Sequence, residues 1–220
     1  PASWAVKMPK GLSMHSSMII GTAGFTAAEC VQKLERSGMT PASGPVLVTG
    51  ATGGVGSVAV KLLAQLGYEV AAVTGKEDKH DFLRSLGASE ILSREEANAG
   101  SDKPMLAERW GGVVDTVGGD ILFNGVKSLR YGCSLAACGL VAAPVFSASV
   151  LPFILRHVNL LGIDSVQLPI EEKAEIWHRL GDEWLMDLSD LEEVLTLDDV
   201  SDAIDRILAG QMVGRGVVHL

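Results

Sequence analysis

The chain has 220 residues, 47% of them apolar and 5% aromatic, and a net charge of −9. That length suits one large domain, or a domain with a piece of another, and the aliphatic bias suits the two-sided core of a parallel α/β sheet. The acidic balance, without any basic run, argues against nucleic acid and anionic membrane as partners, and no apolar run reaches the ~18–20 residues of a bilayer span.

Trp4 to Met8 alternates like a strand, and Pro9 stops it. A strand with nothing upstream to pair with predicts a missing N-terminal module, of which residues 1–20 are read as the remnant. Ser13 to Ile20 reads as a short apolar helix. Gly21 to Ser37 carries Phe25, Ala28, Val31 and Leu34 at helical spacing, and Gly38 closes it. Pro41 to Pro45 is a turn.

The next stretch organises the rest. A β-branched run, Val46 to Thr49, meets a turn dense in glycine (Gly50, Gly53, Gly54, Gly56). A helical pattern follows through Val55, Val58, Leu62 and Leu66. Glycines allow a sharp turn and close approach of backbone to a phosphate. A helix N-terminus then presents unpaired N–H groups and partial positive charge. A strand before and a helix after are the context that makes a glycine loop a dinucleotide signal.

Beyond it, strands and helices alternate. Glu69 to Thr74 is a second strand. Asp78 is the expected N-cap of a helix from Lys79 to Leu86, with Gly87 after it. Glu90 to Leu92 is a third strand, and Glu95 to Ala107 is polar helix or loop. Gly112 to Val117 is a fourth strand, after which Asp120 is expected to cap a helix to about Leu129. Cys133 to Cys138 is a fifth strand, Val150 to Arg156 a helical turn or two, and Asn159 to Ile163 a sixth strand. Right-handed crossovers make residues 21–164 a Rossmann domain, a doubly wound parallel sheet of six strands in the order 3-2-1-4-5-6. Past Ser165 the pattern changes. Ile170 to Leu180 and Val200 to Leu208 are amphipathic helices, and Arg215 to Leu220 is a final strand. Residues 165–220 are too short for a domain and are expected to return to the missing module.

The end of the second strand chooses between the two nicotinamide cofactors. An acid there bonds the ribose hydroxyls and repels a 2′-phosphate; a small hydroxyl residue with a cation accepts it. Here the strand ends Thr74-Gly75-Lys76, with no acid on its last residues. Glu77 and Asp78 are rival acids but lie past Gly75. The reading is NADPH. Arg94, after the third strand, falls where the adenine end would lie. The other strand ends, including Thr116 to Gly119, Cys138 to Leu140 and Ile163 to Val166, should follow the rest of the cofactor. Cys138 is read as a small apolar neighbour of the nicotinamide, not a nucleophile.

Cys30, Cys133 and Cys138 fit neither a zinc pattern nor a disulfide framework, which points to a cytoplasmic protein. His15, His80, His157, His178 and His219 have no ligand spacing and are assigned surface or capping roles, so no metal is expected. Trp177 and Trp184 are read as packing. No nucleophile elbow, metal helix or carboxylate pair is present.

Several stretches together resemble one family. They are Ile19 to Ala27, the loop Thr49 to Ser57, Asp115 to Gly118, Ala137 to Leu140, Pro152 to Arg156 and Gly162 to Val166. They resemble the zinc-independent medium-chain dehydrogenases/reductases, in the bacterial branch that holds quinone oxidoreductases and NADPH-dependent acrylyl-CoA reductases. The resemblance covers nearly the whole chain. It implies a homodimer and an NADPH site. The reaction implied is hydride transfer to the β-carbon of an α,β-unsaturated thioester or carbonyl, a small-molecule substrate. Cofactor contacts implied by it fall on Thr52, Gly53, Gly54, Val55, Thr74, Gly75, Lys76, Arg94, Cys138, Gly139, Leu140 and Ser165. It also implies a GroES-like substrate domain upstream, to which the C-terminal segment would belong, so the catalytic residues stay unknown. The alternative is a truncated module that binds NADPH or dimerises without turnover.

Overall fold

A computed structural model describes residues 1–220. Eight strands form. β1 (Val46–Val48), β2 (Val70–Val73), β3 (Glu90–Leu92), β4 (Gly112–Asp115), β5 (Ser134–Ala137) and β6 (Asn159–Gly162) make one sheet; β7 (Glu192–Leu195) and β8 (Arg215–Val218) make another. The helices are α1 (Met14–Arg36), α2 (Gly54–Gln65), α3 (His80–Ser85), α4 (Arg94–Asn98), α5 (Gly119–Lys127), α6 (Leu151–Arg156), α7 (Ile170–Leu180) and α8 (Val200–Leu208).

The larger sheet is parallel throughout, in the expected order β3-β2-β1-β4-β5-β6. A period of two sorts its residues between two cores. Val46, Val48, Val70, Ala72, Val114 and Ala136 share a core with residues of α1 and α2. Leu47, Ala71, Val73, Val113 and Leu135 share another with Trp110 and residues of α5. Crossovers run in opposite directions from β1 and β4, so a crevice opens beyond the C-terminal ends of these two strands.

The two expected N-terminal helices form one element, capped by Ser13 and broken at Gly21, whose φ of 49° and ψ of −159° are non-helical. Three local expectations fail. Trp4 to Met8 is not a strand: Ala2–Trp4 is a 3-10 turn, and Trp4 lies exposed with no neighbouring strand to pair with. Asp78 does not cap α3, because it sits inside a 3-10 turn, Glu77–Lys79, and pairs with Lys79 at 2.7 Å. Asp120 does not cap α5. Gly118, with a φ of 71°, turns the chain into the helix earlier, and Asp120 lies in the first turn, where the helix dipole favours an acid.

In the last 56 residues both amphipathic helices form at their expected bounds, but β7 escapes the sequence pattern. β7 and β8 pair in parallel through α8, a small βαβ unit. Ile176, Leu180, Trp184, Leu188, Leu191 and Val217 join the same core as α1 and α2. On the small unit Val194, Leu197 and Leu208 stay exposed, while Ile204 and Ile207 border the recess between it and the larger sheet. No helix is long and apolar enough to cross a membrane.

Candidate functional site

The site begins where β1 ends. Gly50, at a φ of 59°, turns the chain beside Thr116, and a Cβ there would lie 2.3 Å from the Thr116 Oγ1. A Cβ on Gly56 would meet the Gly50 carbonyl oxygen at 2.3 Å, so this glycine lets helix and loop pack in contact. Gly53 is the N-cap of α2. The N–H groups of Gly54, Val55 and Gly56 have no backbone partner, while that of Ser57 already donates to Gly53. Three free donors at the mouth of a 12-residue helix form an anion seat.

Asp115 fixes the neighbouring strand end. It is fully buried; its carboxylate accepts from the Thr49 Oγ1 at 2.7 Å and the Gly118 N–H at 2.8 Å. Burial pushes its carboxyl above the ordinary range, against the pull of these bonds. Gly139 belongs to the same joint, since a Cβ there would lie 1.9 Å from the Thr116 carbonyl oxygen.

Beyond β2, the Thr74 Oγ1 accepts from the Lys76 N–H at 3.1 Å and lies 3.5 Å from the Thr52 Oγ1. The Arg94 guanidinium lies along Gly75, where any Cβ would strike its Nε at 2.6 Å. Glu77 and Asp78 are exposed and do not line the crevice.

The opposite wall comes from the return segment. The Gly214 N–H donates to the Thr52 carbonyl at 3.0 Å, and the Lys76 Nζ donates to the Met212 carbonyl at 2.7 Å. The Arg215 Nε donates to the Ile19 carbonyl at 2.8 Å, and its guanidinium abuts Gly54 and Gly21. Burial pulls the Arg215 pKa below its ordinary value, and no carboxylate pairs with it. Lys76 is likewise lowered, by burial first.

These walls enclose a cleft of about 490 Å³, joined to a second of about 170 Å³ through Gly50, Thr52, Arg94, Val117 and Val141. Lys76, Arg94 and Arg215 are the charged groups that line them. No histidine, cysteine, aspartate or glutamate does. On a chain of net charge −9, a recess lined by cations alone suits a ligand with several phosphates.

Of the expected contacts, Thr52, Gly53, Gly54, Thr74, Gly75, Lys76 and Arg94 line the clefts. Val55 follows them on α2 and contributes a free N–H. Cys138, Gly139 and Leu140 sit at the end of β5, next to the lining residues Val141 and Ala142. Ser165, past β6, lines neither cleft. Sequence reasoning missed Arg215 and Met212. The one available signal was a lone cation between glycines at the start of the final strand.

The pattern of the zinc-binding dehydrogenase family matches residues 54–182. Acrylyl-CoA reductase AcuI of Ruegeria pomeroyi is 49% identical over 220 residues, covering this whole chain and 67% of that protein. This chain belongs to the medium-chain dehydrogenase/reductase family. Two solved medium-chain relatives share its architecture. The YhdH oxidoreductase of Salmonella enterica, in complex with NADP, has a TM-score of 0.93 at 44% identity, over 99% of this chain and 67% of that one. The YhfP protein of Bacillus subtilis, with NAD bound, has a TM-score of 0.97 at 43% identity, over 100% and 68%. The chain thus spans about two thirds of the length of these family members.

Proposed function

We propose that this chain is the cofactor-binding part of a zinc-independent, NADPH-dependent reductase of α,β-unsaturated thioesters or carbonyls, acrylyl-CoA and quinones among them. The observation that carries the reading is the all-cationic lining at the point where strand order reverses. When bound, NADPH supplies a hydride to the substrate β-carbon, and the α-carbon takes a proton.

In this reading the chain's residues act by position. The free N–H groups of Gly54, Val55 and Gly56, with the Arg215 guanidinium beside them, hold the pyrophosphate. Thr74, Lys76 and Arg94 hold the 2′-phosphate, and neither Glu77 nor Asp78 lines the crevice. The end of β5, Cys138 to Leu140, runs beside the nicotinamide. Ser165 is kept as a contact for the far end of the cofactor. The fit rests on a cradle that side chains would fill: a Cβ on Gly54 meets Arg215 at 2.8 Å.

The relatives include one structure with NADP and one with NAD, so the preference is a property of local residues. Tighter binding of NADPH than of NADH, read by titrating intrinsic tryptophan fluorescence, is the expected result. Equal or tighter NADH binding overturns it. Turnover is tested by NADPH oxidation with acrylyl-CoA.

A second reading is an NADPH-binding or dimerising module without turnover; the exposed Val194, Leu197 and Leu208 give the small unit an apolar surface for such contacts. Cofactor binding without oxidation by this chain would select it. We also propose a homodimer joined through the edge strand β6, checked by mass in solution, and a cytoplasmic location, consistent with three unpaired cysteines.

A further inference from the structure

The five histidines, assigned surface or capping roles from the sequence, are not all apart. The fold brings His15, at the start of α1, and His219, just past β8, to the same carboxylate. The His15 Nε2 lies 2.9 Å from the Glu192 Oε2, and the His219 Nε2 lies 3.3 Å from the Glu192 Oε1. The two rings meet edge to face with centroids 5.2 Å apart. Potential ligand atoms of all three side chains lie within 4.8 Å of one another.

We propose that His15, Glu192 and His219 form a zinc site that fastens the N-terminal turn of α1 to the β7–β8 unit. Two imidazoles and a carboxylate are a donor set that zinc accepts. Zinc–ligand bonds of about 2.0–2.2 Å at a tetrahedral angle hold ligand atoms roughly 3.3–3.5 Å apart. Each imidazole nitrogen already lies beside one oxygen of Glu192, the two contacts falling on different oxygens, so one ion takes either a bidentate carboxylate or rings that converge on a single oxygen. The rings are free to make that adjustment, each half-exposed and with no other side-chain hydrogen bond. Glu192 is the fixed member, with its side chain 10% exposed and each oxygen turned to one ring. A fourth position faces solvent and suits water. The ion would tie together positions 177 residues apart in sequence, His15 and Glu192. It has no step in hydride transfer, since none of the three residues lines the cofactor clefts.

The test uses chelator-treated protein titrated with zinc chloride by calorimetry, with cobalt(II) as a spectroscopic substitute. One zinc per chain is expected, with a rise in melting temperature and cobalt bands of nitrogen–oxygen ligation, without thiolate charge transfer. Losing even an outer-shell partner costs a metal site about 10- to 100-fold in affinity, so Glu192→Gln should weaken binding at least about tenfold. The double variant His15→Ala/His219→Ala should abolish it. Unchanged NADPH affinity in these variants checks that they fold. Absence of saturable zinc binding, binding that survives the double variant, or thiolate bands from Cys133 or Cys138 would overturn the proposal.

Discussion

The two walls of the cofactor cleft are built by opposite means. The wall from the ends of β1, β4 and β5 is packed through glycines, with Gly56 and Gly139 seated directly on backbone where any side chain would collide. The return segment is held against it by one backbone bond, Gly214 to Thr52, and by two long cationic side chains: Lys76 reaches across to the Met212 carbonyl, and Arg215 reaches the Ile19 carbonyl. Away from the cleft, the return segment is fastened by Lys61 to Asp190, Arg36 to Glu175 and Arg179 to Glu35. Such surface pairs contribute little each. Trp184, buried and capped by the Arg179 guanidinium at 3.5 Å, does more through apolar burial. On the proposed reading, the close-packed half fixes where the cofactor's phosphates sit, and the half held by long side chains supplies charge to them.

The largest effects should come from filling the close-packed wall. Gly56→Ala puts a methyl 2.3 Å from the Gly50 oxygen and 2.7 Å from the Ala51 Cα, backbone atoms that cannot swing aside. A loss of about 3 kcal/mol in urea unfolding is expected. Gly53→Ala is the control three residues away: its φ is −78° and its nearest contact is at 3.3 Å. It should cost under about 1 kcal/mol. Equal losses would break the distinction between packing glycines and phosphate-facing ones.

The same division explains what was legible in the sequence. Strand order, the glycine loop and the cation after β2 follow from local rules, period two, glycine freedom and crossover handedness, so they can be read a few residues at a time. The helix caps at Asp78 and Asp120 misled because competing local bonds, an ion pair to Lys79 and the positive φ of Gly118, shifted the helix starts. β7 was invisible because Glu192 and Glu193 open it, and its apolar face pairs with β8, more than 20 residues later. Arg215 and the His15–Glu192–His219 cluster depend on contacts across nearly the whole chain. No periodicity announces them.

The wall held by long side chains should answer to charge rather than to stability. Arg215→Leu removes a half-buried cation beside Gly54 with no carboxylate to compensate. A charge-assisted bond contributes about 1.5–3 kcal/mol, so NADPH and NADH affinity should both fall about 30-fold. Lys76→Ala should be smaller and selective: about a tenfold loss for NADPH, the equivalent of about 1.4 kcal/mol, and little for NADH. A loss shared equally by the two cofactors would move Lys76 from the 2′-phosphate to the pyrophosphate, and the two walls would no longer divide the task.

The smallest effect probes the joint between the halves. Glu29, on α1, is buried at 4% exposure with its Oε2 unpartnered, near Lys33, Asp164 and Glu172. Burial pushes its carboxyl above the ordinary value, against the pull of the Asp164 backbone and of Lys33. A folded pKa above the unfolded one means that its contribution is greatest below the unfolded pKa and is lost as pH rises through the folded pKa. Glu29→Gln, uncharged at every pH, should therefore gain about 1 kcal/mol over the parent at neutral pH, the low end for an unpartnered buried oxygen. The gain should vanish below the ordinary carboxylate range, where both side chains are neutral. Urea unfolding at several pH values reads the difference. A gain that persists in acid would trace it to packing at the α1–α7 contact rather than to the buried charge.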